Sequence, residues 1–482
     1  MRSGVPARPS VRTACALLLI LSALSPARAR PVPTGEPLTL DAALQTALQH
    51  NVTLAQGALR VERERFGVQA AREEFDTEIS PVGSLNVTDE ASDWQYGLRA
   101  EKKLLWGTEL GLGVESTRYP SFVDENWRSA IKVDVRQPLF RHFGKLVNEE
   151  GITAAGERLR AETRHWELQK ADLVVDVVRA FETLTRLRKQ ITCDESILER
   201  TGKLRELTRI RERQGRATRV DALRADLQWG QAQTHLDSHR EEAVSAAVEL
   251  AELLGQPADE QLTLAAAPLP DMDVPPVESA IRTALGNRLD YAQALDDYLA
   301  TRRQEKLARR SLQPDLDLVA AHQQYDRDSR FADTLDFDRQ LWTIGIAGQM
   351  NLRQHRDKTA VAVAALDIQA AREVIRIKSL SIAREVQQAA SAYRQSRAEL
   401  ANAGRNHEAA LARAELARRL FEMGRGDSFA ATDADNAFIA AETDLLTSRS
   451  QVCLAGYRLL RAMGTLTETP DTLKPKPLEL PP

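Results

Sequence analysis

RQGRATRVDALRAD, residues 213–226, and EMGRGDSFAATDAD, residues 422–435, are related stretches of this sequence. When the glycines of the two stretches are aligned, the shared pairs are Gly215/Gly424, Arg216/Arg425, Ala222/Ala431, Ala225/Ala434 and Asp226/Asp435. Each stretch lies between two long segments of helical periodicity. The chain is therefore predicted to contain one helical hairpin twice, and such a repeat favours a scaffold or a conduit over a single catalytic pocket.

The segments on either side of each turn carry the apolar spacing of a coiled coil, in steps of four and three. These apolar positions are Leu173, Val177, Ala180, Leu184, Leu187 and Ile191 before the first turn, and Phe438, Ala441, Leu445, Val452, Ala455 and Leu459 after the second. The spacing predicts long antiparallel hairpins that pair a helix at 145–214 with one at 218–254, and a helix at 357–424 with one at 432–464.

Two further helices are predicted at 40–75 and 277–312, one ahead of each hairpin. A helix of seventy residues reaches about 105 Å, whereas helices of this shorter length reach about 55 Å. Two short helices placed end to end would therefore match one long helix. Together with the turns at 215–218 and 424–431, the helices define a first repeat at 30–256 and a second at 277–465.

Between the short and the long helix of each repeat, the apolar period changes from helical to two. Apolar residues alternate with polar or small ones at Ile131, Val133 and Val135, at Leu110, Leu112 and Val114, and at Trp342, Ile344 and Ile346. Strands are therefore predicted at about 79–139 and 315–350. Apolar-out and polar-in alternation over about ten residues is typical of a transmembrane β-barrel, although a half-buried soluble sheet alternates too.

The number of strands limits what one chain can build. The first repeat predicts two to four strands, four if residues 96–116 form an extra hairpin, and the second predicts two. The smallest closed membrane barrel has about eight strands, and an open sheet edge in lipid leaves backbone groups unpaired. The fold class is therefore mixed and mainly α, with copies of the chain contributing strands to a shared β-barrel.

The ends and the middle of the chain carry signals of other kinds. Residues 1–29 combine early arginines, an apolar run of about eleven residues and an Ala-Arg-Ala site, which predicts a signal peptide. The proline-rich segment 257–276 is predicted to be a linker between the repeats, and 466–482 a disordered tail.

The composition and the reactive residues exclude several classes of function. Charged residues make up 28%, aromatic residues 5% and the net charge is -4, which favours long exposed helices without a nucleic-acid partner. His235 and His239 are one helical turn apart, but no third ligand accompanies them, so a surface pair is favoured over a metal site. No catalytic constellation is present. Cys193 and Cys453 are interpreted as small buried residues, with a disulfide as the alternative.

The order of these elements and the turn motifs resemble those of the TolC family of outer-membrane efflux proteins. The matching residues are Gly215, Asp221 and Ala225 in the first turn, Gly424 and Ala434 in the second, and Gln137–Arg141 with Gly144 where a strand meets the long helix. The resemblance implies a homotrimer in the outer membrane of a Gram-negative bacterium. It further implies a twelve-stranded β-barrel and a helical barrel, the α-barrel, of about 100 Å that crosses the periplasm.

The resemblance also implies partners for the hairpin tips. They would dock on a periplasmic adapter protein, which is fed by an inner-membrane transporter, and the duct would pass small molecules, metal ions or peptides without a cofactor. The tip residues expected to dock are Gly215, Arg216, Ala217, Thr218, Gly424, Arg425 and Gly426.

Family members narrow the periplasmic entrance with a ring of acidic residues on the second hairpin. Asp433 matches one position of this ring, but Ala430 occupies the other, so Asp427 or Asp435 is left as a candidate to compensate. An alternative interpretation of Asp433 is a solvated carboxylate near a helix start, where an acid is favoured by the helix dipole.

The family also closes the entrance with a link from an acid on the first hairpin to an arginine on the second. Asp221 matches this acid, whereas Gly426 stands at the arginine position, so Arg425 is the expected substitute. Phe421 stands where the family often has a tyrosine.

The sequence as a whole favours three classes of function in a definite order. A transport conduit comes first, a periplasmic coiled-coil scaffold without a channel second, and an enzyme last.

Overall fold

The structure of the protein is a computed structural model. It describes residues 37–87, 92–119, 127–257, 264–265, 273, 275–423, 425 and 428–476. The signal peptide predicted at 1–29 and most of the linker predicted at 257–276 lie outside these residues. Internal packing divides the chain into one unit of residues 1–51 with 177–268 and a second unit of residues 52–176 with 269–482.

Helices form most of the described chain, and they recur in the same order. They are α1 (Leu40–His50), α2 (Val52–Glu73), α3 (Lys145–Asn148), α4 (Glu150–Arg213), α5 (Arg219–Leu254), α6 (Val277–Asn287), α7 (Leu289–Ser311), α8 (His355–Glu422) and α9 (Ser428–Met463). Apart from the single turn α3, the first four have 11, 22, 64 and 36 residues, and the last four have 11, 23, 68 and 36.

Three helices that the sequence predicts as continuous are each interrupted at one residue. Asn51 separates α1 from α2 and Arg288 separates α6 from α7, both with extended backbone at ψ 126° and 120°. The side-chain amide of Asn51 donates to the carbonyl oxygen of Leu253 at 3.0 Å, which fixes the first break. Glu149 separates α3 from α4. Apolar periodicity continues across such breaks, and the sequence pattern therefore does not reveal them.

Within the described residues, six antiparallel strands form one sheet in chain order. The strands are β1 (Glu78–Val87), β2 (Ser92–Lys103), β3 (Glu109–Arg118), β4 (Trp127–Pro138), β5 (Asp315–Asp328) and β6 (Arg339–Gln349). Four strands therefore belong to the first half of the chain and two to the second, and β2 and β3 form the hairpin predicted at 96–116. A 3-10 helix, Phe331–Asp336, connects β5 to β6. All six strands lie in the second unit.

In the first unit, α5 packs antiparallel against the last part of α4. Arg205 lies 2.6 Å from Asp226, and Glu195 lies 2.8 Å from Arg240, so residues approaching the turn from both sides meet in register. The predicted coiled-coil positions on α4 are buried with the exception of Ile191, which is half-buried. Burial of these side chains is the main term that stabilises such a helix, because isolated helices have little stability in water.

In the second unit, α8 and α9 form the other hairpin. Ile382, Val386 and Tyr393 on α8 pack in one apolar cluster with Val452 and Leu459 on α9. The predicted positions Ala441, Val452 and Leu459 are buried, whereas Phe438, Leu445 and Ala455 are half-buried. The α6 residues Ala280 and Ala284 join the same cluster, and their small side chains allow α6 to approach closely.

The break at Arg288 is held by a network of charged side chains. Arg288 lies 2.8 Å from Asp290 and 2.6 Å from Glu385, and Lys378 lies 2.8 Å from Asp290. Burial opposes the ionisation of Asp290, but hydrogen bonds from Arg288 and Lys378 outweigh it and lower the pKa of Asp290 to about 2. These ion pairs therefore stabilise the chain at the break, where the regular hydrogen bonds of a continuous helix are interrupted.

Part of the segment predicted to be a disordered tail is ordered, and this prediction was wrong for residues 466–476. A turn covers residues 471–473, and Leu473 is buried. The guanidinium of the buried Arg164 donates from Nε to the carbonyl oxygen of Leu473 at 3.0 Å. The proline-rich composition suggested disorder because it does not reveal a hydrogen bond formed with a distant helix.

Among the described residues, no helix combines the length and the apolar composition needed to cross a membrane. Cys453 is buried and Cys193 is half-buried.

Replacing Gly255 by alanine is expected to destabilise the protein. Gly255 ends α5 with φ at 67°, and an added Cβ would lie 2.2 Å from the carbonyl oxygen of His50. Thermal unfolding in detergent, followed by circular dichroism, should show that Gly255→Ala lowers the free energy of unfolding by at least about 1–3 kcal/mol. The control is Gly230→Ala in the interior of the same helix, where nothing lies within 4 Å, and it should be neutral or slightly stabilising. Equal stability of the two variants would contradict the prediction.

Candidate functional site

The tip of the first hairpin is built by a glycine turn and a helix cap. Gly215 adopts φ 70°, and the amide of Arg216 donates to the carbonyl of Arg211 at 2.8 Å, which is the closing bond of a Schellman motif. The side chain of Thr218 then caps α5 in a capping box with Asp221. Arg216 and Thr218 are exposed, and Ala217 is half-buried.

Asp221, the predicted gate acid of the first hairpin, has a local structural role. Its carboxylate accepts hydrogen bonds from the hydroxyl of Thr218 at 2.6 Å and from the amide of Thr218 at 3.0 Å. These bonds lower the pKa of Asp221, the one from the side chain most. The sequence places an acid three residues after a threonine, and this spacing is the signal of a capping box.

The second tip has the same closing hydrogen bond. The amide of Arg425 donates to the carbonyl of Leu420 at 3.0 Å, which matches the bond from Arg216 to Arg211. The side chain of Arg425 is exposed. Gly424, Gly426 and the side chain of Phe421 lie outside the described part of the chain, so the prediction of their roles stays open.

Asp433 has a partner that the sequence did not predict. Its carboxylate forms a short ion pair with Arg413, which lies across the hairpin on α8. The side chain of Asp433 is 53% exposed, so the pair is available to water and to other molecules. The sequence offered a weak signal, because a hairpin that turns near residue 424 brings residues 413 and 433 to similar heights.

Each hairpin is also tied by an ion pair at equivalent positions. Arg209 lies 2.9 Å from Asp226 in the first hairpin, and Arg418 lies 3.2 Å from Asp435 in the second. The arginines stand six residues before the two aligned glycines, and the acids stand eleven residues after them. The matching Asp226/Asp435 pair was apparent in the sequence, whereas the arginines were overlooked because they lie outside the compared stretches.

The ion pair in the first hairpin should respond to acid. Hydrogen bonds from Arg205, and then from Arg209, lower the pKa of Asp226 below its usual value. A group with a lowered folded-state pKa stabilises the fold above its unfolded-state pKa of about 3.9, and this contribution is lost as the pH falls through the folded-state pKa. The contribution of this ion pair is therefore present at neutral pH and lost only in strong acid.

Asp226→Asn is expected to loosen the first tip at neutral pH. Two cross-helix hydrogen bonds from arginine would be weakened, so amide exchange at residues 214–219 should accelerate, as measured by hydrogen–deuterium exchange mass spectrometry. The control is Asp237→Asn, because Asp237 accepts hydrogen bonds from Gln233 of its own helix. Unchanged exchange in Asp226→Asn would show that the pair does not stabilise the tip.

One face of the sheet is mainly apolar in five of the six strands. On this face β5 contributes Leu316, Leu318 and Ala320, followed by the polar residues His322, Gln324, Asp326 and Asp328. Residues paired across neighbouring strands share a face, and successive residues alternate. The register therefore places together Ile79, Leu85, Val87, Trp94, Tyr96, Leu98, Leu110, Leu112, Val114, Trp127, Ile131, Val133, Val135, Leu318, Trp342, Ile344 and Ile346. Most of these side chains are exposed, Ile344 at 75%. Exposed apolar side chains on one face of a sheet indicate a partner or lipid.

The opposite face is polar and charged. It carries eight acids, Glu78, Asp93, Glu101, Glu109, Glu115, Asp134, Asp315 and Asp317, and seven bases, Arg99, Lys103, Arg128, Lys132, Arg136, Arg327 and Arg339. Val82, Val319, Tyr325 and Leu341 are its larger apolar or aromatic members. The predicted alternation in β3, β4 and β6 is thus confirmed, and the sheet is amphipathic as a whole.

Aromatic side chains mark the two ends of the apolar face. At the end of the β5–β6 connection, the ring of Trp127 lies 6.4 Å from Tyr96 and 5.3 Å from Phe331. At the other end, the ring of Trp106 lies 5.9 Å from that of Phe143. Aromatic rings of this kind are enriched where a membrane meets water.

The length of the apolar face along β4 is close to the thickness of the apolar band of a bacterial outer-membrane barrel. Eight residues separate Trp127 from Val135 along β4, which corresponds to about 27 Å of strand, or about 21 Å along the normal for a strand tilted by 40°. The apolar band of a bacterial barrel is about 25 Å tall. The strands have 10 to 14 residues, and a transmembrane strand needs about 9–11.

The two histidines considered in the sequence as possible metal ligands, His235 and His239, are not joined by a third ligand among the described residues. Nδ1 of His239 lies 2.5 Å from the carboxylate of the buried Asp194, which orients this ring toward α4. His235 is exposed. In the part of the chain that the structure describes, no group of three or more potential metal ligands is present.

Comparison with solved structures identifies the fold. The chain is similar to the outer-membrane channel OprN, with 18% identity, a TM-score of 0.68 and coverage of 88% of this chain and 89% of that one. It is also similar to the outer membrane protein VceC of Vibrio cholerae, with 17% identity, a TM-score of 0.67 and coverage of 88% and 96%. The open state of the MtrE outer membrane channel of Neisseria gonorrhoeae gives 17% identity, a TM-score of 0.67 and coverage of 89% of both chains.

No family model matches the sequence, and no curated protein matches it. The structural similarity extends over nearly the whole described chain, so the fold is that of TolC-like outer-membrane channels. This finding confirms the resemblance that the turn motifs indicated. The mixed, mainly helical fold class with an antiparallel sheet is confirmed as well.

Proposed function

We infer that this protein is the outer-membrane exit duct of a tripartite efflux pump or a type I secretion system. The observation that carries the proposal is the six-stranded sheet with one apolar face between two aromatic clusters and with two open edges. Such a sheet is suited to the wall of a pore, because its polar face can line water while its apolar face meets lipid. The similarity to outer-membrane channels supports this interpretation.

The duct is a homotrimer whose copies together close one transmembrane β-barrel. The open edges at β1 and β6 require partners in lipid, since each unpaired backbone group there costs several kcal/mol. The long helices also expose apolar side chains, among them Val363, Leu366, Val374, Ile377 and Leu380 on α8. Copies of the chain would cover these positions, so the helices form an α-barrel. The recurring helix lengths support descent of the two halves from one duplicated unit.

The duct lies in the outer membrane of a Gram-negative bacterium, with its helices in the periplasm. Its hairpin tips dock on a periplasmic adapter protein, which connects them to an inner-membrane transporter. The exposed side chains of Arg216 and Arg425 at equivalent positions support two similar docking points per chain. The cargo consists of small molecules, metal ions or peptides, and no cofactor or catalytic step is involved.

The tips also gate the periplasmic entrance. Asp433 from each copy narrows the opening, and the carboxylates repel one another while attracting cations. The pair with Arg413 offsets part of this repulsion within each chain. Asp221, Arg425 and Phe421 complete the gate, with Asp221 and Arg425 linking neighbouring hairpins when it is shut.

Asp433→Ala is expected to raise the single-channel conductance of the mature protein in planar lipid bilayers and to weaken block by divalent cations. Removal of the carboxylate both widens the opening and removes its negative charge. The control is Asp444→Ala, because Asp444 is exposed on the same face of α9, about three turns farther from the tip. Conductance and block that match the wild type would argue against the gate and leave the duct itself in place.

Photocrosslinkers at positions 216 and 425, expressed in the native cell, are expected to capture one periplasmic adapter protein, identified by mass spectrometry. A crosslinker at Glu442, farther from the tip on α9, is the control and should not capture it. A protein that is soluble without detergent and monomeric by native mass spectrometry would overturn the duct and favour a periplasmic scaffold.

A further inference from the structure

The sheet contains one hairpin more than a twelve-stranded trimer allows. Twelve strands shared by three copies correspond to four per chain, whereas the described chain has six in one uninterrupted antiparallel order. The question is whether β1 and β2 belong to the membrane wall or form a flap outside it. Their register, side-chain pattern and length answer it.

The hairpin of β1 and β2 continues the register of the neighbouring strands. Ten consecutive residue pairs join β1 to β2, from Glu78 opposite Glu101 to Val87 opposite Ser92, and ten more join β2 to β3. No residue is left over in either ladder, so there is no bulge at which the hairpin would turn away from the sheet. The six strands therefore form one continuous surface.

The hairpin also continues the two faces. Ile79, Leu85 and Val87 of β1 and Trp94 and Leu98 of β2 lie on the apolar face and are 53% to 72% exposed. On the opposite face, the hydroxyl of Ser84 donates to the side chain of Gln95 at 3.3 Å, and the amide of Gln95 donates to Glu115 of β3 at 2.9 Å. A flap in water would expose these large apolar side chains together, which soluble surfaces avoid.

The edges of the sheet suit closure with further copies of the chain. Because six is an even number, β6 of one copy and β1 of the next run in opposite directions and extend the antiparallel ladder. Their lengths match, with 10 residues in β1 and 11 in β6. Pro81 removes a single donor from β1, which leaves the remaining ladder positions intact.

We propose that the membrane pore has six strands from every chain and eighteen in the trimer, and so is wider than a twelve-stranded barrel. The proposal rests on the trimeric duct inferred above. With strands about 4.8 Å apart and tilted by about 40°, eighteen strands give a backbone diameter of about 36 Å, against about 24 Å for twelve. Barrels of sixteen to eighteen strands leave an aqueous channel.

The lining of this wide pore is almost electrically neutral. The polar face carries eight acids and seven bases in each chain, and they are interspersed along the strands. A wide channel whose lining charges balance discriminates only weakly between solutes of different charge or size. The outer pore is therefore a permissive exit for large polar cargo, including unfolded peptides, and selection takes place at the hairpin tips.

Electron cryomicroscopy of the full mature protein in lipid nanodiscs tests the proposal directly. The expected image is a trimer with eighteen strands and a barrel of about 36 Å between backbones. A variant in which a Gly-Ser link replaces residues 78–103 should lose six strands and narrow to about 24 Å. This deletion joins Thr77 to Leu104, which the hairpin already brings to the same end of the sheet.

Other images would overturn the proposal in distinguishable ways. A trimer whose wall has twelve strands, with β1 and β2 outside the wall, would contradict the wider pore but not the proposed duct. A dimer with a twelve-stranded barrel would also contradict the wider pore, since six strands per chain would then form the narrower barrel. A particle without any barrel removes the proposed function itself.

Cysteine labelling covers the case in which the deletion does not fold. The native cysteines are first removed by Cys193→Ser and Cys453→Ala. Two variants of this protein, one with Ser84→Cys and one with Leu85→Cys, are then reconstituted in liposomes and exposed to a charged, water-soluble maleimide. Position 84 should label and position 85 should not, because the wall places one in water and the other in lipid. Thr343→Cys and Ile344→Cys in β6 are the matched controls. Labelling of both β1 positions, with alternation kept in β6, would show that β1 lies outside the wall.

Discussion

In the proposed duct, the need to pair backbone groups in lipid is the constraint on which the rest of the structure depends. A sheet with an apolar face can enter a bilayer only if no edge is left open, and this chain ends its sheet with two open edges. In the proposed duct, the backbone therefore dictates assembly more strongly than any side chain does. Once copies of the chain are joined at their edges, the strand ends also fix where the long helices begin.

The helical hairpins solve a different physical problem, which is to keep two long helices aligned over many turns. In each hairpin, the apolar positions are mostly alanine, valine and leucine, so helices approach closely without strong directional preference. The pairs Arg209–Asp226 and Arg418–Asp435 add direction near the tips. Exposed ion pairs of this type contribute little energy, but they define which residues face each other.

Much of this architecture could be predicted from the sequence because it rests on periodicity. The alternation in β3, β4 and β6 and the coiled-coil positions around Leu184 gave the element types and their order, and the turn motifs gave the resemblance. The breaks at Asn51 and Arg288 could not be predicted, because they depend on a hydrogen bond to Leu253 and on charges from distant helices. Likewise, the partner of Asp433 became apparent only when the hairpin register was known, and Leu473 only when Arg164 was seen to reach it.

The connection pattern of the sheet has a bearing on how such pores change during evolution. Every added hairpin leaves the bilayer on the side from which it entered, so a chain can gain or lose strands only in twos without reversing the helices that follow. In the proposed threefold assembly, each such event changes the circumference by six strands at once. In the proposed threefold pore, the circumference therefore changes in steps of six strands rather than continuously.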